Sequence, residues 1–193
     1  GVAGHLHTST VLRCYATGDV TAGGQYSGGL VGWLQWGGDL QKSFAAGRVT
    51  GTTHVGGLIG HLYSANLWDC FATGEVAGTT NVGGLIGDCY STCTLTRCYA
   101  AGALSGTTYV GGVSGRYGIA VDCFWDIERS EVSAWSGGNG SGTAYGKTAA
   151  EMRQVLTFTT RLAEQGGTPW NFGSTWSGVD GRSYPYLQGL PGD

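Results

Sequence analysis

The amino-acid sequence predicts an all-β protein, a parallel β-solenoid (β-helix) of about five rungs that ends in a mixed C-terminal cap. A four-residue tag, which begins and ends with Gly and has an apolar second residue, returns every 27 or 28 residues. A period of this size is typical of arrays whose units bury their apolar faces by stacking on their neighbours. Gly recurs every few residues and the apolar runs are short, which favours strands over helices. The five tags occupy residues 1–4, 29–32, 57–60, 84–87 and 112–115.

Each unit carries the same short segments after its tag. A small-aromatic-small run, such as Cys70-Phe71-Ala72, is followed by Gly and then by a lone apolar residue. A rung of 27 or 28 residues has room for three short strands and three turns. Residues 1–123 are therefore predicted to form a solenoid of roughly triangular section.

Equivalent positions of stacked rungs form ladders, because neighbouring rungs lie about 4.8 Å apart. Strand alternation predicts that Leu12, Cys14 and Ala16 face the interior, whereas Arg13 and Tyr15 face outward. The aromatic position would then form an outward ladder that is a candidate for stacking on sugar rings. The alternatives are rings that stack only on one another and rings that face the interior. This ladder comprises Tyr15, Phe44, Phe71, Tyr99 and Phe124.

The cysteines are candidates for disulfides. Cys70, Cys98 and Cys123 occupy one ladder position on successive rungs, where the spacing allows one adjacent pair to bridge. Cys89 and Cys93 can meet only in a tight turn. We predict a Cys89–Cys93 bridge, with the ladder cysteines divided between a rung-to-rung bridge and buried thiols. Zinc binding by Cys89, Cys93 and Cys98 is disfavoured, since no matched second pair of ligands follows them.

The sequence changes character after residue 123, so residues 124–193 are predicted to form a C-terminal capping and docking region. Thr148 and Glu151 form a capping box, which predicts a short helix over about 148–161. An aromatic segment of strand and loop is expected over 168–190. A solenoid needs a terminal structure over its last rung, and we assign this role to the tail.

The first rung begins directly in an apolar tag and is expected to offer unpaired strand edges. A longer solenoid upstream or the C-terminal surface of another subunit could cover it, and the sequence leaves both open. The second contact would join copies head to tail and build open filaments. The residues predicted to form this assembly interface are Gly1, Val2, Ala3, Gly4 and Leu6 at one end and Trp170, Phe172, Trp176, Tyr184, Tyr186 and Leu187 at the other.

Composition and charge exclude several classes of partner. Only 12% of the residues are charged and the formal net charge is −3, so nucleic acid and anionic membrane surfaces are not expected partners. No run approaches the roughly 20 apolar residues that span a bilayer, so membrane insertion is not expected. The 38 Gly residues together with 41% hydrophobic residues favour an extracellular structural protein over a disordered linker.

Motifs for catalysis or for a cofactor do not occur in the sequence. It contains no His-Glu-x-x-His and no Gly-x-Ser-x-Gly, and the acidic residues over 126–131 are interpreted as a solvated loop rather than a glycosidase pair. His5 and His7 offer at most an adventitious metal site. We therefore expect a non-enzymatic protein without a cofactor or a metal centre.

The repeat resembles the GLUG family of bacterial surface and secreted proteins. The resemblance rests on Gly-Gly-Leu-Ile-Gly preceded by Gly-Thr-Thr-x-Val, and on Cys-Phe-Ala-Thr-Gly-Glu-Val at residues 70–76. It covers residues 1–123, with departures in the units that begin at Gly1, Gly29 and Gly112, and the tail resembles the segment that commonly closes such arrays. The resemblance implies adhesins, large cell-surface proteins or accessory regions of secreted peptidases, and it does not imply a catalytic activity.

Together these patterns predict a secreted structural protein at the cell surface or outside the cell. Its expected partner is another copy of itself, in a head-to-tail homopolymer, or another surface protein. The alternative is a carbohydrate-binding adhesin segment, with a glycan as ligand, or an accessory domain of a larger secreted enzyme.

Overall fold

The structure, a computed structural model, describes residues 1–191 as a parallel β-solenoid. Strands of successive turns pair in parallel and form four ladders, which we name A, B, C and D in the order in which the chain visits them. About four turns are complete, because ladders C and D each contain four strands while ladders A and B extend further. The predicted all-β parallel solenoid is confirmed.

The strands of each ladder are short. Ladder A contains Ala3–His7, Val31–Gln35, Ile59–Tyr63, Ile86–Tyr90 and Ser114–Arg116. Ladder B contains Thr10–Leu12, Tyr15–Ala16, Asp39–Gln41, Phe44–Ala45, Asn66–Trp68, Phe71–Ala72, Thr94–Thr96, Tyr99–Ala100, Ile119–Asp126 and Ser141–Lys147. Ladder C contains Val20–Thr21, Val49–Thr50, Val76–Ala77 and Leu104–Ser105, and ladder D contains Ser27–Gly28, Thr53–Gly56, Thr80–Gly83 and Thr108–Gly111.

Most turns contain five strands rather than the predicted three, because each turn passes through four ladders and a bend divides its ladder B segment into two strands. The residue at the bend has a left-handed backbone in every turn, with φ between 46° and 55°. This conformation breaks strand alternation, so Val11 and Cys14 pack toward the interior and Leu12 is 52% exposed. The prediction that Leu12 faces inward is therefore wrong. The bend residues are Arg13, Lys42, Asp69, Arg97 and Asp122.

Two apolar cores fill the solenoid. The larger core, on the inner sides of ladders A and B, contains Leu, Ile, Val, Ala and Cys side chains from every turn. The smaller core contains Val49, Val55, Val76 and Val82 from ladders C and D. The small residues beside the aromatic ladder, Ala45, Ala72 and Ala100, lie in the larger core, which confirms that this strand turns its small residues inward.

The Gly tags bring ladders A and D together backbone to backbone. An added Cβ at Gly60 would lie 2.5 Å from Ser27 N and 2.7 Å from Gly32 O, so no side chain fits between the two ladders there. Because the backbones touch, the outward side chains of ladder A lie beside those of ladder D. This juxtaposition creates the polar corner described below.

The tail contains four short helices instead of the one helix predicted over 148–161. They are α1 (Ile127–Ser130), α2 (Ala149–Met152), α3 (Val155–Phe158) and α4 (Thr160–Glu164). The capping box of Thr148 and Glu151 is confirmed at the start of α2. The helix stops there because Gln154 is extended and the Thr157 hydroxyl donates to the Glu151 carbonyl at 2.7 Å.

Part of the tail continues the solenoid and part folds back along its side. Ser141–Lys147 pairs in parallel with Ile119–Asp126, so the ladder extends past the predicted boundary at residue 123. The segment from α2 onward packs on the outer face of ladder B. Within it, strands Trp176–Ser177 and Tyr186–Leu187 form a small antiparallel pair, and their residues Trp176 and Leu187 pack against the aromatic ladder. Residues 192 and 193 of the predicted cap lie outside the described residues. Among residues 1–191, no helix is long and apolar enough to cross a membrane.

Candidate functional site

The first turn leaves one end of the larger core uncovered. Val2 is 54% exposed, whereas Leu30, which holds the same position one turn later, is fully buried. Leu6 is only partly buried, and its partner Leu34 is fully buried. In the described part of the chain the strands of this turn pair on one side only, so both the apolar core and the strand edges are accessible here.

A groove accompanies this open end. It has a volume of about 300 Å³, and its lining includes Val2 of the first tag, Val20 of ladder C and Tyr26, which precedes the first strand of ladder D. Gly1, Ala3 and Gly4 also line it, so four of the five N-terminal residues predicted for the assembly interface lie around one groove. Leu6 lies on the next part of the same strand.

The aromatic residues predicted for the other half of the interface lie elsewhere. Trp170, Trp176 and Leu187 are at most 2% exposed, because they pack against the aromatic ladder of their own chain. Phe172 and Tyr184 are partly buried against the same cluster. These side chains attach the tail to the outer face of ladder B. Because they are buried against their own chain, the prediction that they contact another subunit is wrong. Tyr186 is likewise half-buried, in the strand beside Leu187.

The aromatic ladder faces away from the larger core, as predicted, but the tail covers it. Phe44, Phe71, Tyr99 and Phe124 are at most 2% exposed, while Tyr15 in the first turn is 46% exposed. Phe44 and Phe71 stack at 4.7 Å between ring centroids, and Phe71 and Tyr99 at 5.0 Å. The prediction that this ladder stacks on sugar rings is therefore wrong, because its four later rings are not accessible to a ligand.

Hydrogen bonds hold the tail in place along the solenoid. The Tyr99 hydroxyl donates to the Pro185 carbonyl at 2.7 Å, and the Thr168 amide donates to Asp122 Oδ2 at 2.9 Å. At the far end of the tail, Arg13 Nη2 donates to the Gln188 carbonyl at 3.2 Å. The tail thus reaches from the last turn back to the first.

Asp126, the first acidic residue of the stretch 126–131, has structural partners. The Asp126 carboxylate caps α1 by accepting from the Glu128 and Arg129 amides, and it accepts the Tyr184 hydroxyl at 2.6 Å. Burial of Tyr184, together with this carboxylate, raises the pKa of the phenol to about 12. These contacts account for Asp126 as a cap and a tail anchor.

The structure confirms one predicted disulfide. Cys89 and Cys93 are bridged, with their Cα atoms 6.2 Å apart. The ladder cysteines Cys70, Cys98 and Cys123 are buried free thiols, so the predicted rung-to-rung bridge is not formed. Burial raises the pKa of the Cys98 and Cys123 thiols well above the ordinary value, which keeps them protonated and unreactive.

A polar corner lies where ladders A and D meet. His61 and Asp88 hold one position of ladder A on successive turns, and His54 reaches them from ladder D. His54 Nδ1 lies 3.3 Å from Asp88 Oδ2, and His61 Nδ1 lies 3.5 Å from the same oxygen. Arg116, one turn further along ladder A, contacts both Asp88 oxygens at 3.2 Å.

The corner is shielded from solvent. The Asp88 side chain is 2% exposed, and the rings of Tyr26 and Trp33 pack against His61 with centroids 5.0 and 5.9 Å away. Burial by itself would raise the pKa of Asp88, but the adjacent His54, His61 and Arg116 side chains hold it well below its usual range. The carboxylate is therefore ionised at neutral pH.

Sequence reasoning missed this corner. The signal was present in the 27-residue separation of His61 and Asp88, which is the repeat period and places them at one ladder position. The contribution of His54 could not be found in that way. It depends on how closely ladders A and D approach, which only the folded backbone decides.

The parallel ladders, the two interior cores and the close approach of ladders A and D at the tag glycines define this chain as a β-solenoid repeat protein. Residues 51–77 match the family described as the GLUG motif, over the length of one repeat unit, and this match supports the predicted resemblance to the GLUG family. A crystal structure of a Bacteroides ovatus protein, provisionally named an immunoglobulin A1 protease, is similar in fold. The TM-score is 0.60 and the identity is 19%, over 93% of this chain and 57% of the other. This chain thus spans little more than half the length of that protein. No curated protein matches it.

Proposed function

We propose that this chain is a non-enzymatic, secreted structural module that joins other copies head to tail through its first turn. The observation that carries the proposal is the uncovered core of that turn. Apolar positions that are fully buried in later turns are open here, as Val2 and Leu6 show beside Leu30 and Leu34. Exposed apolar surface next to unpaired strand edges favours addition of another strand layer.

The matching surface is the opposite end of the solenoid. Ladders C and D end there in Leu104–Ser105 and Thr108–Gly111, and ladder B ends in Ser141–Lys147. Since every ladder has an edge at each end, a copy displaced along the solenoid axis meets this chain with its strands still parallel. Such a contact is heterologous and can repeat without closing.

The far end also offers apolar surface. A cavity of about 550 Å³ lies beside the last strand of ladder B, and its lining combines the apolar residues Trp125, Ile127 and Val132 with the carboxylates of Glu128 and Glu131. Ile127 is 37% exposed, and Tyr109 in the last strand of ladder D is 45% exposed. In the proposed assembly, this surface, rather than the aromatic residues of the tail, contacts the first turn of the next copy.

The test is polymerisation of the purified chain, observed by sedimentation velocity over a concentration series and by electron microscopy. We expect linear polymers, and we expect Val2→Asp to weaken association at least about tenfold, because a charge would enter an apolar contact. Val179→Asp is the matched control, since Val179 is a similarly exposed valine (48%) in the tail. It should polymerise like the unaltered chain.

The assembly proposal is contradicted if the protein is monomeric at all concentrations. It is also contradicted if Val2→Asp and Val179→Asp weaken association equally. A second candidate would then take its place, an accessory module of a longer secreted protein. The length of the Bacteroides ovatus protein favours that candidate, because a chain of this fold there forms only part of a larger one.

A further inference from the structure

We propose that His54, His61 and Asp88 form a binding site for one divalent transition-metal ion of the zinc type. One ligand atom from each residue can be chosen so that all three lie within 4.8 Å of one another. Tetrahedral Zn²⁺ with bonds of about 2.0–2.1 Å to nitrogen and oxygen holds its ligand atoms about 3.3 Å apart. The two measured separations from Asp88 Oδ2, 3.3 and 3.5 Å, suit that geometry.

One buried imidazole nitrogen of the corner has no hydrogen bond in the part of the chain that the structure describes and is available for an ion. His61 is about nine-tenths buried, and its Nδ1 makes no hydrogen bond within residues 1–191. The Asn81 amide nitrogen lies 3.0 Å from His54 Nδ1, and Asn81 gives up this contact when the His54 lone pair binds an ion. The Nδ1 atoms of both rings lie within 3.5 Å of the same Asp88 oxygen. A buried polar atom without a partner is costly, and a bound cation would remove that cost.

The surroundings resemble the outer shell of a metal ligand. Arg116 donates to Asp88 and fixes the orientation of its carboxylate, as second partners of metal ligands do. Asn81 Oδ1 is also buried without a hydrogen bond among the described residues, so it can accept from a water molecule on the ion. With three protein ligands, the fourth position of a tetrahedral ion stays open for that water.

The donor set determines the chemical class of the ion. Two imidazole nitrogens and one carboxylate oxygen suit Zn²⁺, Co²⁺, Ni²⁺ or Cu²⁺, whereas Mg²⁺ and Ca²⁺ prefer oxygen ligands alone. An ion here would connect ladder D to two successive turns of ladder A. We therefore infer a structural role, in which the ion fastens turns together and raises the unfolding temperature.

The chain allows a matched test, because it contains four histidines in two pairs. The protein is first treated with a chelator, and Zn²⁺ binding is then measured by calorimetry, with Co²⁺ absorption as a probe of coordination. His54→Ala/His61→Ala should lose the site, with affinity reduced at least about a hundredfold. His5→Ala/His7→Ala, which removes the exposed pair, should keep one ion per chain.

Two further measurements guard against misfolding of the double variant. Asp88→Asn preserves shape and should weaken Zn²⁺ binding at least about tenfold. In the unaltered protein, Zn²⁺ should raise the unfolding temperature, while Mg²⁺ at the same concentration should not. The proposal is overturned if Zn²⁺ fails to bind at millimolar concentration, or if binding follows His5 and His7 instead. Neither outcome bears on polymerisation through the first turn.

Discussion

Glycine fixes the distance between ladders A and D at the scale of single residues. At Gly32 and Gly60, the last residues of two tags, an added Cβ would run into backbone atoms of the same or the neighbouring turn. At Gly4, the equivalent residue of the first turn, nothing lies within 4 Å. The same residue of the repeat is therefore required for packing in one turn and free of contacts in another.

This difference predicts opposite outcomes for one substitution. Gly60→Ala should lower the free energy of unfolding by about 1–3 kcal/mol or more, because backbone atoms cannot give way to the new methyl group. Gly4→Ala should be neutral or slightly stabilising, since it reduces only the freedom of the unfolded chain. Urea denaturation of dilute protein measures both. Equal destabilisation would show that the tag glycines serve the backbone conformation of their own strands and not the approach of the two ladders.

The tail acts as one element that covers the aromatic ladder and forms a third apolar core with it, outside the larger and smaller cores of the solenoid. Ring stacking continues from Phe44 to Tyr99 along the solenoid, and Trp170 and Trp176 cover it. Trp176 is fully buried, and its Nε1 donates to Asp69 Oδ1 at 3.3 Å. Because helices of four or five residues are not stable alone, packing on this ladder is what orders the tail.

Removing one covering ring should therefore release the tail. We expect Trp176→Ala to lower the free energy of unfolding by about 3–5 kcal/mol and to make residues after α2 sensitive to protease. Trp36→Ala is the control, because Trp36 is 52% exposed, and its effect should stay below about 1 kcal/mol. A tail that resists protease in the Trp176 variant would contradict this account.

The solenoid is a linear array of turns, in which the strands of each turn pair with those of the neighbouring turns. Among residues 1–191, central turns are covered on both sides, whereas the first turn is covered on one. Stability should therefore fall toward the first turn, even though the tail anchors it through Arg13 and Gln188.

Hydrogen exchange tests this gradient. In dilute protein, amides of Ala3–His7 should exchange at least about a hundredfold faster than those of Ile59–Tyr63. If the chain polymerises at high concentration, as proposed, the first turn should gain protection there. Uniform protection of all turns in the monomer would contradict the gradient.

The sequence by itself determined the repeat, the parallel solenoid, the inward small residues and the Cys89–Cys93 bridge. Each of these depends on local spacing: the tag period sets the ladders, and a three-residue loop brings two thiols together. The capping box of Thr148 and Glu151 could also be predicted, because it depends only on two residues three positions apart.

Only the tertiary structure decided where the tail packs, and so which aromatic residues are accessible. The outward ladder and the tail aromatics were both visible in the sequence, but their mutual burial arises from contacts between residues far apart, such as Phe71 and Trp176. The corner of His54, His61 and Asp88 depends in the same way on the approach of two ladders through their glycines. Ladder positions follow from a period along the chain, whereas the packing of one face on another depends on shape, which the period does not specify.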